Sequence, residues 1–172
     1  MQITITKGSD RDWLTVERAD GSVERSTFPK KGAIPHDAVH VFAERGMGLM
    51  RGFWGHIAEG HGFDAIQEIA KAAGHASAKR AVAPDASIIQ LLQAERLVEC
   101  LEAAQWSGGF DAALLRAAWQ AGCDQSHVPL PDYRDSKMIE VYDQIAQFAT
   151  HWRVLATGES VTFEWNDGAI AL

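Results

Sequence analysis

The chain has 172 residues, of which 47% are hydrophobic and 23% charged, enough for one domain with a sizeable core. Its net charge is -7, and the only basic doublets are Lys30-Lys31 and Lys79-Arg80, so general nucleic-acid binding is disfavoured on charge. No apolar run approaches the ~18 residues of a membrane span, and the N-terminus lacks a secretory apolar region; the cytoplasm is the expected compartment.

In chain order, residues 2–6 (Gln-Ile-Thr-Ile-Thr) alternate polar and β-branched residues and predict a strand. A turn at Gly8-Ser9-Asp10 leads to a second strand over 13–16. Asp20-Gly21 supplies a hairpin turn, and residues 23–28 form a third strand that Pro29 ends. Pro35 suits the start of a helix, which runs to about Arg45 and stops at Gly46 and Gly48. A short turn of helix is expected over 52–59, broken by Gly60-His61-Gly62. A helical pattern resumes over 63–73, followed by an Ala-rich connector over 74–84.

Residues 85–106 form the longest apolar-rich helix. Leu91, Leu92, Leu97, Val98 and Leu101 fall on nearly every side of it, which places it centrally. Glu95, Glu99 and Glu102 still gather in one narrow sector. Helices over 110–121, ended by Gly122, and 134–155 follow, and the alternating segment 159–165 returns to the sheet. The expected fold is therefore α+β: a small antiparallel sheet, made of an N-terminal three-stranded meander and a C-terminal strand, packs on a helical body around a central long helix. Cys100 and Cys123 lie in separate apolar contexts with no Cys-x-x-Cys, and read as buried thiols.

Chemistry concentrates at Pro35–Glu44. On a helical wheel His36, Asp37, His40 and Glu44 share a sector about 100° wide, opposite Ala38, Val39, Phe42 and Ala43. Histidines at i and i+4 can present two imidazoles to one divalent ion such as zinc. The pattern is His-Asp-x-x-His, with Asp where zinc hydrolases carry Glu. The shorter Asp37 serves as a catalytic base, as an orienter of His40, or as a helix cap. Glu44 is about 12 Å along the axis from His36, too far to share an ion with it. A third ligand must come from another element: Glu95 or Glu99 on the central helix, with Glu59, His56 and His61 as alternatives. Phe53 and Trp54, between Gly52 and Gly55, are candidate pocket residues together with Glu44. His127 and His151 read as surface histidines, and His75 falls in the connector.

A plainer reading stands beside this one. The His-Asp-His-Glu face could be a solvated helix surface or a buried hydrogen-bond cluster that fixes the helix. No P-loop, Gly-x-Gly-x-x-Gly or Gly-x-Ser-x-Gly is present, which weakens nucleotide-binding and serine-hydrolase readings.

The chain resembles a family of small bacterial proteins in three places. These are the meander with Arg18-Ala19-Asp20-Gly21-Ser22-Val23, the segment from His36 through Gly52-Phe53-Trp54-Gly55, and Trp152-Arg153-Val154-Leu155 with Gly158-Glu159-Ser160. A weaker match covers Leu91 to Arg96. The family has no established activity, so the resemblance implies an architecture without a reaction. It implies that the His segment and Glu95 belong together, which favours Glu95 over Glu99 as the third ligand. The leading expectation is metal-assisted hydrolysis at His36, His40 and Glu95, with Asp37 as base or orienter. The alternative is a non-catalytic protein that binds a small molecule or a second copy of itself.

Overall fold

The computed structural model describes residues 1–30, 32–70 and 84–166. Its sheet contains β1 (Gln2–Thr6), β2 (Arg11–Glu17), β3 (Val23–Pro29) and β4 (Ser160–Glu164), in the order β3-β2-β1-β4 with every pairing antiparallel. The alternation in the sequence sets the two faces. Ile3 lies between Val16 and Phe163, and Ile5 between Leu14 and Val161, so apolar side chains line up toward the core. On the outer face Thr4 bonds Thr162, and Thr6 bonds Ser160.

The helices are α1 (His36–Met47), α2 (Phe53–Ala58), α3 (Phe63–Ala70), α4 (Ile89–Ser107), α5 (Ala112–Gln125) and α6 (Asp135–Val154). The fold is α+β, with the meander, returning strand and long central helix that the pattern predicts. Asp85 does not begin that helix itself; it accepts from Ser87 N–H and caps one 3₁₀ turn, Ala86–Ile88, ahead of α4. The expected extension of α3 to residue 73, the connector 74–83 with His75 and Lys79-Arg80, and Lys31 all lie outside the described residues. Among the described residues, no helix is long and apolar enough to cross a membrane. Cys100 and Cys123 are free, and burial pushes their thiols up to about 11 and about 12.

α1 joins the two long helices of the body. It packs on α4 and α6, and residues Asp37 to Glu44 are buried on every side. Of its polar sector, Asp37, His40 and Glu44 are buried and His36 is partly exposed, so the face is not a solvated helix surface. Two glycines expected to stop helices instead lie inside them. A Cβ on Gly46 would overlap a Val141 methyl of α6, and one on Gly122 would sit 3.1 Å from the Arg96 side chain of α4. Both let helices cross closely, and α1 ends two residues later at Gly48, which takes the left-handed conformation at φ 70°. Lys7, just after β1, donates to the carbonyls of Trp152 and Leu155 at 2.8 Å and so ties the sheet to the end of α6.

Gly46→Ala tests this crossing. Helix propensity alone would stabilise the variant by about 1 kcal/mol, whereas overlap with Val141 should destabilise it by about 1–3 kcal/mol. Urea unfolding is expected to give the second sign, and Val141→Ala should relieve part of the loss.

Candidate metal centre

The site begins with a buried carboxylate. Glu44 is fully buried on α1 and accepts three hydrogen bonds: from His40 Nδ1 at 2.9 Å, and from the backbone N–H groups of Phe53 and Trp54 at 3.0 Å each. The two amides are donors, and His40 Nδ1 is a third when it carries the ring proton. The Gly-Phe-Trp-Gly run exists for this contact. A Cβ on Gly52 would overlap the Glu44 carboxyl group, and one on Gly55 would overlap the Met50 carbonyl. Trp54 is completely buried, and its indole N–H donates to the Asp37 carbonyl at 3.0 Å, pinning α2 to the first turn of α1.

Glu44 thereby fixes His40. A proton on Nδ1 faces Glu44, so Nε2 points the other way. His36 is arranged in parallel: its Nδ1 lies 2.9 Å from Glu102 Oε1 on α4. The two Nε2 atoms then meet at 3.2 Å, and Glu95 Oε1 stands 3.7 Å from His40 Nε2. One ligand atom from each of His36, His40 and Glu95 lies within 4.8 Å of the others. A tetrahedral zinc with bonds near 2.0–2.1 Å needs ligand atoms about 3.3 Å apart. The imidazoles are already at that spacing, and each has its outer nitrogen on a carboxylate, the usual support of a metal-bound histidine.

The electrostatics have the same cause. Burial alone would push His40 down, but the carboxylates of Glu95, Glu44 and Asp37 outweigh it and hold the imidazole up at about 9. Burial pushes the Asp37 carboxyl up against the pull of His36 and His40, and pushes Glu44 up against its three donors. Four carboxylates thus surround two imidazoles. In the absence of an ion, a protonated His40 supplies the compensating charge and donates its Nε2–H to His36.

The ligand face opens on a cavity of about 610 Å³. His36, Asp37, His40, Glu95 and Glu102 lie on its wall, and Trp13, Phe28, Phe53 and Trp106 supply apolar surface. Trp13 and Trp106 are 57% and 75% exposed, so they form its outer rim.

Several expectations need correction. Glu44 and Trp54 do not line the pocket; both are sealed in the core, and only Phe53 of the proposed set reaches the cavity. Asp37 does not orient His40, because Glu44 holds that nitrogen, and the start of α1 has no side-chain cap. The acidic stripe of α4 is also divided. Glu95 and Glu102 turn toward α1, while Glu99 is half exposed and pairs with Arg96 at 2.7 Å. His127 and His151 are exposed. Glu102 and the two rim tryptophans were not singled out as site residues. The seven-residue spacing of Glu95 and Glu102, two turns apart on one face, is the signal that could have found Glu102.

The His40 environment sets a pH dependence for the ion-free protein. The folded-state value of about 9 lies above the ordinary 6.5, so this stabilisation is complete below 6.5 and is lost as pH rises through about 9. The unfolding free energy of chelator-treated protein, from urea denaturation, should fall across that interval by on the order of 3 kcal/mol, and His40→Gln should flatten the profile. A flat profile for the unsubstituted protein would contradict the assignment. Comparisons with family models, curated proteins and solved structures gave no match.

Proposed function

We propose that His36, His40 and Glu95 bind one divalent ion of the zinc class and that the cavity beside them is the site of a metal-assisted hydrolysis. The observation that carries this reading is the pair of Nε2 atoms at 3.2 Å, with both outer nitrogens held by Glu44 and Glu102. Two imidazoles and one carboxylate leave a fourth position for water or substrate, which is the ligand count of catalytic rather than structural zinc. A bound ion supplies a Lewis acid that makes water a nucleophile near neutral pH.

The chain's own residues supply the rest. Asp37 lies on the cavity wall beside the ligands, and burial pushes its carboxyl toward the range useful for proton transfer. It takes the proton from the attacking water and returns it to the leaving group, so that water is divided across the broken bond. Phe28, Phe53 and the rim tryptophans hold an apolar portion of the substrate. The same walls support a second reading, a receptor for a small apolar molecule in which the His cluster only orders the floor.

Zinc calorimetry on chelator-treated protein tests the site. Glu95→Gln should remove tight binding at the cavity, and Glu102→Gln should weaken it by about 10–100-fold. Asp37→Asn should keep the ion yet lower turnover of chromogenic esters by about 10²-fold. Zinc affinity unchanged by Glu95→Gln would sink the ligand set. An ion bound without turnover of esters, amides or phosphoesters would leave the receptor reading.

A further inference from the structure

The end of α2 carries a second cluster that the cavity does not use. The sequence His56-Ile57-Ala58-Glu59-Gly60-His61 closes this helix tightly. His61 N–H donates to the His56 carbonyl at 3.0 Å, Gly60 N–H donates to the Ile57 carbonyl at 3.1 Å, and Gly60 takes φ 100°. This paired closure at a left-handed glycine turns the chain back over the helix end. It brings the His61 ring edge-on to His56, with centroids 5.4 Å apart. Glu59 Oε2 lies 3.9 Å from His56 Nδ1, and one ligand atom from each of the three residues lies within 4.8 Å of the others.

His56 makes this more than a surface cluster. It is 3% exposed, and among the described residues neither ring nitrogen has a hydrogen-bond partner. A buried imidazole left this way is costly. Arg51 Nε donates to Glu59 Oε1 at 3.2 Å and leaves Oε2 on the His56 side.

We propose that His56, Glu59 and His61 form a second site for a divalent transition ion, separate from the cavity. Two imidazoles with one carboxylate suit zinc, nickel or copper better than magnesium or calcium. Glu59 and His61 are exposed, so rotation of their side chains can bring the ligand atoms to the roughly 3.3 Å spacing a tetrahedral ion needs. None of the three residues lines the cavity, and the site does not depend on the hydrolytic reading.

Zinc calorimetry on the full chain separates the two sites. With both present, the unsubstituted protein binds two equivalents. His61→Ala and Glu59→Gln, at exposed positions that keep the fold, each bind one, and Glu95→Gln combined with His61→Ala binds none tightly. If the cavity reading alone fails, one equivalent remains, sensitive to His61→Ala and indifferent to Glu95→Gln; that result still supports the second site. Zinc stoichiometry and affinity unchanged in both His61→Ala and Glu59→Gln would overturn it, as would absence of zinc binding in the unsubstituted chain.

Discussion

The buried Glu44 carboxylate is the constraint on which the site depends. An ionised carboxylate out of water is stable only when its oxygens are satisfied, and breaking such a pair costs on the order of 3–5 kcal/mol. Here an imidazole and two backbone amides satisfy it. Those amides open α2, so holding the carboxylate also fixes where α2 begins. Gly52 must lack a side chain because the carboxyl group occupies that space. A charged contact in the core thus joins two helices and selects the nitrogen that His40 presents to the cavity.

The same logic extends outward to α4. Glu102 does for His36 what Glu44 does for His40, and Glu95 completes the convergence. The inner pair is fixed within one segment of chain, whereas the outer contacts depend on α1 and α4 packing together. Their crossing leaves more carboxylates than imidazoles at the edge of an apolar cavity. The excess of negative charge is what raises the buried His40 imidazole, and aromatic side chains line the rest of the cavity.

Much of the fold was legible because its signals are local. Alternation in 2–6 and 159–165, Asp20-Gly21 and Pro35 each act over a few residues, and the elements they predict appear within a few positions of where expected. Gly46 and Gly122 misled because a glycine inside a helix has the same letter whether it ends the helix or admits a neighbour. Only the crossing partners, Val141 and Arg96, distinguish the two. Glu44 was misplaced for a similar reason. Helix rise correctly removed it from His36, but a wheel cannot say that α2 folds over it and seals it from the cavity.

By itself the sequence determined the α+β class, the His36–His40 pair on one face of a helix, and the acidic sector of α4. These follow from the periods of strand and helix, which any reader of the chain can count. Tertiary structure decided which carboxylate serves which nitrogen. Glu44 displaced Asp37 as the partner of His40, Glu102 took His36, and Glu99 turned out to solvent. The partner of His36 is set by how α1 and α4 approach one another, whereas His40 and Glu44 lie one turn apart on α1 and the amides of α2 close over them. A difference of one helical turn in the approach of α4 would change the partner of His36 without altering any local pattern.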